Sequence, residues 1–284
     1  RHPSGKSWRT GSLVPGTKKV ITESDLFGPG ILALVSSKFL RTFRGQAETS
    51  CRVPLYYLRW ATRKNACSCQ SITVPEEARH REWAWSEFSS LSLDEALTVA
   101  DVDADLNPDV ILGTVILFGR EGGDWETVWI DDEGLKPDRH VVADLNSDGL
   151  QDIVVGFEAV SETGDLVWYQ QLSQKGGWEK HLIARLTGPM SLGVADMDDD
   201  GDPDVIVGEH DLRNPEQARL LWFENRNNGK SWLPRLIHQG DEHHDGALVV
   251  DLDGDGDQDV VSIGWGHHKV IVYESVNALG APSD

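Results

Sequence analysis

The feature that most constrains this chain is an acidic run that occurs four times. The fullest copy, DLDGDGDQD at residues 251–259, places aspartates on alternate positions. Similar runs begin at Asp101, Asp144 and Asp196, so that successive copies are 43, 52 and 55 residues apart. Like charges at this spacing repel one another strongly unless a cation lies among them. A period of about fifty residues indicates a repeat architecture in which each unit is one supersecondary element.

Short β-branched or aromatic segments recur in phase with the acidic runs. An aromatic segment follows each of the last three runs, at 166–171, 220–225 and 270–275, and a Trp-led segment follows each of the first three, at 125–130, 178–183 and 232–237. Gly, Asp and Asn turns separate these segments, and they show no helical periodicity. We therefore predict an all-β fold, a β-propeller of four-stranded antiparallel blades. About four blades are recognisable, either as a small ring or as part of a larger one. A β-solenoid would have shorter repeats, and an EF-hand array would need flanking helices.

A strand outside the complete repeats suggests how the ring closes. Residues 83–88, WAWSEF, resemble a Trp-led fourth strand that lacks its first three, whereas the last repeat has three strands and lacks the fourth. We therefore predict that 83–88 completes the last blade, because this pairing would remove an exposed sheet edge.

The composition changes near residue 80. Residues 1–80 contain 13 of the 26 Lys and Arg residues, only five of the 47 acidic residues, and all three cysteines. An odd number of cysteines with a single Cys-x-Cys pair defines neither a disulfide framework nor a zinc site. We predict a basic, Cys-containing N-terminal segment over 1–80, with no assigned structure, followed by propeller repeats over 81–284.

The net charge restricts the class of partner. A formal charge of −21 argues against nucleic acid and anionic membranes, and it favours cations. The apolar stretches are short and interrupted, so we predict no membrane insertion.

The spacing of each acidic run suits Ca²⁺. Side-chain oxygens at run positions 1, 3, 5 and 9, with a backbone carbonyl at position 7, can surround one ion, and Gly at position 6 allows the tight turn. The predicted ligands are Asp101, Asp103, Asp105 and Asp109; Asp144, Asn146, Asp148 and Asp152; Asp196, Asp198, Asp200 and Asp204; and Asp251, Asp253, Asp255 and Asp259. We predict three to four Ca²⁺ ions, because the first run has Leu106 where Gly is expected.

Each run lies between a VAD-like strand and a DVIVG-like strand, as in VADMDDDGDPDVIVG at 194–208. This pattern resembles the FG-GAP/VCBS repeats of integrin-α-type β-propellers, bacterial secreted proteins and some lectins. The resemblance covers residues 81–276. It implies Ca²⁺ binding and an extracytoplasmic setting, either secreted (extracellular) or periplasmic. Such propellers commonly have seven blades, and the four visible repeats depart from that number.

The blade topology predicts on which face of the propeller the remaining polar residues lie. The acidic runs join strands 1 and 2 of each blade, so the connections between strands 2 and 3 and between blades lie on the opposite face. Six of the ten histidines fall in those connections. The catalytic or metal candidates on this face are His210, His244 and His268 with Glu209 as their carboxylate partner, and the ligand-binding candidates are Trp265 and Arg139. The alternative is that these side chains only cap loops and bond between blades.

Three functions are compatible with this sequence. The first is a secreted, Ca²⁺-stabilised propeller that binds a protein or carbohydrate partner. The second is a carbohydrate-active enzyme similar to a polysaccharide lyase, in which a histidine removes a proton beside a uronate carboxylate that Arg or a cation neutralises. The third is a purely structural module of a larger protein. A nucleophilic triad has no support, because no G-x-S-x-G motif occurs.

Overall fold

The computed structural model describes residues 6–13, 56–63, 66–73, 84–89, 91, 96–174, 176–244 and 246–277. Within these ranges the chain forms 19 strands in five antiparallel sheets, and no helix is present there. Four sheets have four strands and one has three. The prediction of an all-β fold built from four-stranded antiparallel blades is confirmed.

Three of the four-stranded sheets consist of strands that follow one another in the chain. Blade 1 contains β5 (Thr98–Ala100), β6 (Asp109–Leu112), β7 (Val115–Gly119) and β8 (Trp125–Trp129). Blade 2 contains β9 (Pro137–Ala143), β10 (Asp152–Phe157), β11 (Thr163–Gln171) and β12 (Trp178–Thr187). Blade 3 contains β13 (Pro189–Ala195), β14 (Asp204–Glu209), β15 (Arg219–Arg226) and β16 (Ser231–Gln239). The predicted aromatic third strands and Trp-led fourth strands are thus present.

Blade 4 is completed by a strand from the beginning of the chain. It contains β17 (Gly246–Val250), β18 (Asp259–Ile263) and β19 (Val270–Asn277), and its outer strand is β1 (Lys6–Leu13). The pairing is antiparallel, with Trp8 opposite Ser275. Closure of this blade by an N-terminal strand therefore occurs, but through a different strand from the one predicted.

The prediction that 83–88 completes blade 4 is wrong. Those residues lie largely in β4 (Ala84–Ser89), which pairs with β3 (Ala66–Thr73), and β3 pairs with β2 (Tyr56–Arg63). Strands that follow one another closely in the chain usually pair, because little loop entropy is lost. Two sheets thus contain strands from residues 1–80, and the domain boundary near residue 80 stays a prediction.

The core lies between neighbouring blades. The second strands of blades 1 to 3 are buried at every position. Three apolar clusters join blade 1 to blade 2, blade 2 to blade 3, and blade 3 to blade 4. Trp168 in the second cluster and Trp222 in the third are each 3% exposed. Burying a large apolar side chain contributes roughly 1.5–3 kcal/mol, so the aromatic third strands hold the blades together.

The first strands of the blades pack side by side, which brings the blades into a radial arrangement. β13 packs against β9 on one side and β17 on the other. Gly193 permits this contact, because a Cβ atom there would lie 2.5 Å from the carbonyl oxygen of Ala247. The acidic runs, which we call acidic loops 1 to 4, are the hairpins between the first and second strands of blades 1 to 4.

Candidate functional site

In all four acidic loops the position-1 carboxylate accepts two amides of the loop, at positions 5 and 6 in loops 1 to 3 and at positions 4 and 6 in loop 4, and loop 2 illustrates the common arrangement. The carboxylate of Asp144, at loop position 1, accepts the amide of Asp148 at 3.1 Å and the amide of Gly149 at 2.8 Å. Positions 4 and 6 are left-handed in each loop, with φ of 58° at Ser147 and 86° at Gly149 here. These bonds curl the chain so that the side chains at alternate positions gather around a common centre.

The aspartate at loop position 9 is buried in every blade and ties the loop to the third strand. In loop 3, Asp204 Oδ2 accepts the amide of Met197 at 2.9 Å, and Asp204 Oδ1 accepts the amide of Asn225 at 2.7 Å. Burial raises the pKa of Asp204 to about 7, despite the two hydrogen bonds, and raises the pKa of Asp109 and Asp152 to about 6. A neighbouring cation would favour the charged form of these carboxylates.

Loops 3 and 4 offer donor sets that fit Ca²⁺. Oxygens of Asp196, Asp198 and Asp204 lie within 4.8 Å of one another, as do oxygens of Asp251, Asp253 and Asp255. Asp198 Oδ1 is buried and has no hydrogen-bond partner within the described residues. Burial and the neighbouring carboxylates of Asp200 and Glu224 raise the pKa of Asp198. A bare carboxylate oxygen among like charges is what a hard cation with oxygen ligands would satisfy.

Loop 2 differs from loops 3 and 4 in having Asn146 at position 3. Its side-chain amide donates to Asp148 Oδ2 at 2.8 Å, and its carbonyl oxygen accepts the amide of Asp148 at 3.2 Å. An amide oxygen can also bind Ca²⁺, so loop 2 offers a related donor set with one charge fewer.

Loop 1 contains a cation from the protein itself. Arg120 Nη1 lies 2.6 Å from Asp103 Oδ2 and 3.2 Å from Asp105 Oδ2. Asp101, Asp103 and Asp109 bring oxygens within 4.8 Å of one another, as in loop 3, but here the guanidinium supplies positive charge. Leu106 takes the left-handed position 6, with φ of 71° and a side chain that is 76% exposed. No local sequence pattern points to Arg120 as a partner of loop 1, although it follows β7 directly.

The opposite face of the propeller carries a buried cluster of histidines and carboxylates, which we call the histidine cluster: His210, Glu242, His244 and Asp138. His210 Nδ1 lies 2.8 Å from Glu242 Oε2, and the rings of His210 and His244 are 4.4 Å apart. His244 Nε2 is 3.8 Å from Asp138 Oδ1. The cluster connects blades 2 and 3 to the segment that leads into blade 4.

Glu242 is the central acceptor of this cluster. It is 1% exposed and accepts the amide of His244 at 3.0 Å and the amide of Gly266 at 2.5 Å. Burial would raise the pKa of Glu242, but the hydrogen bonds from His210, Gly266 and His244 outweigh it and lower the pKa. Because a carboxylate oxygen accepts hydrogen bonds, the Nδ1–H of His210 is the donor to Glu242 Oε2.

The predicted carboxylate partner, Glu209, has a different role. Its oxygens lie 2.5 Å from Arg219 Nη2 and 2.8 Å from Arg219 Nε, and they also accept the amides of Thr187 and Arg219. Glu209 is therefore a buried anchor between blades 2 and 3, and Glu242 contacts His210 instead. Both are glutamates next to histidines in the sequence, so the local pattern could not distinguish them.

The other predicted candidates lie apart from one another. His268 is exposed, and Arg139 Nη1 lies 3.2 Å from Asp138 Oδ2. Trp265 is 69% exposed, and its ring meets the ring of His244 edge-on at 6.1 Å. The next residue in the chain, Gly266, lines a cavity of about 210 Å³ together with Leu212, Pro215, Asp241, Glu242 and His267. This surface, with Trp265 and the 43% exposed Leu212, is the apolar part of the histidine face and is called the Trp265 patch.

Comparison with known proteins supports the repeat assignment. Residues 144–207 match the FG-GAP-like repeat family. Integrin alpha-6 of Homo sapiens is 30% identical over 148 residues, which are 47% of this chain and 13% of the relative. Integrin alpha-6 of Gallus gallus is 41% identical over 129 residues, which are 42% of this chain and 12% of the relative. Integrin alpha-7 of Homo sapiens is 44% identical over 78 residues, which are 24% of this chain and 6% of the relative.

The segment that contains acidic loops 2 and 3 thus matches the FG-GAP-like repeat that the sequence resemblance implied. The chain corresponds to a small part of the length of these relatives. A solved complex of BBS1N with ARL6DN aligns with 80% of this chain and 80% of that chain, at 10% identity and a TM-score of 0.35, which is too low to support a common fold. Among the described residues, no helix is long and apolar enough to cross a membrane.

Proposed function

We propose that this chain is an extracytoplasmic interaction module whose blades are braced by Ca²⁺ and whose Trp265 patch binds a protein partner. The observation that carries the calcium part is Asp198 Oδ1, a buried carboxylate oxygen without a hydrogen bond, placed among the carboxylates of loop 3. The similarity to integrin alpha chains supports an extracellular setting, where Ca²⁺ is abundant enough to fill sites of modest affinity.

The Trp265 patch is the part of this face suited to recognition. Exposed tryptophans are enriched among the residues that dominate binding energy in interfaces. Trp265 stands beside a cavity, whereas the histidines behind it are buried and already bonded within the protein. Because bonded, buried residues support the patch, less conformational entropy is lost when a partner binds.

A carbohydrate partner is the second candidate, and the same residue favours it. An exposed indole face beside an acidic cavity rim can stack on a sugar ring, while Asp241 can accept hydrogen bonds from hydroxyl groups. The lyase alternative has weaker support, because His210 and His244 are 3% and 7% exposed and a base must reach its polymeric substrate.

Binding of the labelled chain to arrays of extracellular proteins and of glycans, in Ca²⁺, tests this proposal. We expect binding on the protein array that is lost in Trp265→Ala and retained in Trp129→Ala, a matched substitution of a 49% exposed tryptophan on the outer strand of blade 1. Binding only on the glycan array, with the same dependence on Trp265, would establish the carbohydrate alternative. Binding that survives Trp265→Ala, or no binding to either array, would contradict a recognition role for the patch.

A further inference from the structure

We infer that Arg120 takes the place of the calcium ion in loop 1, so that this chain binds Ca²⁺ in loops 2, 3 and 4 only. The inference rests on the proposed binding of Ca²⁺ by those three loops. It concerns the loop in which a guanidinium competes with the ion for two of the predicted ligands.

Three carboxylates and one aromatic ring contact the Arg120 guanidinium. Its Nη1 atom binds Asp103 at 2.6 Å and Asp105 at 3.2 Å, while its Nη2 atom binds Glu126 on the outer strand at 2.8 Å. Its Cζ atom lies 5.0 Å from the centre of the Phe118 ring, within the range of a cation–π contact. The side chain is thus fixed between two strands and the loop.

These contacts occupy two of the predicted ligands. A Ca²⁺ ion would need oxygens of Asp103 and Asp105, at loop positions 3 and 5, at roughly 2.3–2.6 Å. The guanidinium binds Oδ2 of each aspartate, and its own positive charge would repel an ion at that distance. Asp103 Oδ1 is left buried without a hydrogen bond among the described residues, and the inference is that the positive charge of Arg120 excludes a cation there as well. Asp105 Oδ1 also accepts the amide of Asn107 at 2.7 Å, so both oxygens of this carboxylate are already bonded within the protein.

Comparison of loop 1 with loop 3 shows that an arginine at this position does not by itself form an ion pair with the acidic loop. Gly119 and Asn225 occupy equivalent positions, because the amide of each donates to the position-9 aspartate of its own loop. The next residues, Arg120 and Arg226, are therefore also equivalent. Arg226 Nε binds Glu224 at 2.6 Å, two residues earlier, and no ion pair between Arg226 and loop 3 occurs in the described part of the chain.

The residue two positions before each arginine explains the difference. In blade 3 this residue is Glu224, which binds both Arg226 and Arg235. In blade 1 it is Phe118, which cannot bind a guanidinium through a carboxylate, and Arg120 lies over its ring and reaches the loop. The equivalent residues after β11 and within β19 are Leu172 and Val276, so loops 2 and 4 have no such cation.

Leu106 is consistent with a loop that holds no ion. The other loops have glycine at the left-handed position 6, with φ of 86°, 95° and 97°, whereas loop 1 has a leucine in the same conformation. A left-handed conformation is unfavourable for a residue with a Cβ atom. The contacts of Arg120 with Asp103 and Asp105 help to retain this conformation of the loop without a metal.

Equilibrium dialysis of the whole chain against Ca²⁺, with the bound ions counted for matched loop variants, tests the inference. Asp101→Asn and Asp251→Asn remove the same position-1 carboxylate from loop 1 and from loop 4. We expect the wild type to bind three ions, Asp101→Asn also three, and Asp251→Asn two. Four ions in the wild type, or the loss of one ion in Asp101→Asn, would overturn the inference.

The complementary test asks whether a variant of loop 1 gains one bound Ca²⁺ ion. The variant Arg120→Gln/Leu106→Gly should bind one ion more than the wild type, because it removes the competing charge and relaxes position 6. Arg226→Gln is the matched control and should leave the count unchanged. Phe118→Glu, which introduces the acid found in blade 3, should draw Arg120 away and favour binding in loop 1.

The two proposals fail in distinguishable ways. If the wild type binds no Ca²⁺, the proposed bracing by loops 2 to 4 is wrong, and the inference about Arg120 then depends on whether the double variant gains an ion. An unchanged ion count in a folded double variant would overturn the inference whatever the wild type binds. If the double variant does not fold, the comparison of Asp101→Asn with Asp251→Asn decides.

Discussion

The two faces of the propeller balance their charges in opposite ways. In loop 3, Asp196, Asp198 and Asp204 gather their oxygens within 4.8 Å, and no ion pair with these carboxylates is present among the described residues. On the opposite face, Glu242 is bonded to His210 and to two backbone amides, and Glu209 is bonded to Arg219. Carboxylates left uncompensated by the protein indicate an external cation, and compensated ones indicate a structural role.

Loop 1 shows that the face on which a carboxylate lies does not by itself decide whether the protein compensates its charge. It has the same hairpin and the same four aspartates as loops 3 and 4, yet Arg120 compensates it from within the protein. Loop 1 is therefore intermediate, because Arg120 compensates part of its charge, whereas Asp103 Oδ1 is buried without a hydrogen bond among the described residues, as Asp198 Oδ1 is in loop 3.

Removal of Ca²⁺ should produce the largest change in stability. A site filled at a hundred times its Kd stabilises the folded state by about 2.7 kcal/mol, and several loops would contribute together. We expect a clear fall in Tm when EGTA replaces Ca²⁺ in a thermal unfolding experiment. An unchanged Tm would show that the acidic loops hold their conformation without a cation.

Loss of a single partner in the histidine cluster should produce the next largest change in stability. Glu242→Ala leaves His210 without its acceptor and leaves two buried amides unpaired, so we expect a loss of about 3–5 kcal/mol in the free energy of unfolding, as for broken buried pairs. Urea unfolding measures this loss. The matched control is Glu216→Ala, an exposed glutamate on the same face, which should change stability by less than about 0.5 kcal/mol.

Acid should destabilise the protein through a buried neutral histidine. Burial lowers the pKa of His140 to about 3, whereas the unfolded chain titrates near 6.5. Because the unfolded state binds the proton first, the stability from this group is present above pH 6.5 and decreases as the pH falls towards 3. At pH 5 the loss is about 2 kcal/mol.

The substitution His140→Leu should remove this part of the pH dependence, as measured by urea unfolding at pH 7 and pH 5. Both ring nitrogens of His140 lack hydrogen-bond partners within the described residues, so the substitution should be tolerated at pH 7. His268→Leu, at an exposed position, is the control. An equal loss between pH 7 and pH 5 in His140→Leu and in the wild type would contradict the assignment.

Substitution in the Trp265 patch should have the smallest effect on stability. Trp265 is 69% exposed, so we expect Trp265→Ala to change the free energy of unfolding by less than about 0.5 kcal/mol, as is usual for surface positions. A loss above 1 kcal/mol in urea unfolding would assign Trp265 to packing rather than to recognition.

Much of the fold could be predicted from local patterns. The acidic runs, the aromatic third strands and the Trp-led fourth strands all lie where their spacing indicated, because alternation along a strand and tight turns depend on neighbouring residues. The closure of blade 4 could not be predicted in this way. Both β1 and β4 contain a tryptophan, and the choice between them depends on pairing across the whole chain.

Local sequence is sufficient for the repeat, the strand pattern and the scaffold of each acidic loop, because the bonds that shape a loop join residues two to five positions apart. The pairing of each carboxylate with its cation depends instead on contacts between distant parts of the chain. Glu242 reaches His210 across 32 residues, and Arg120 reaches Asp103 across 17. Such contacts depend on how strands are placed and on which neighbours compete for the same charge. Phe118 and Glu224 thus give two equivalent arginines different partners.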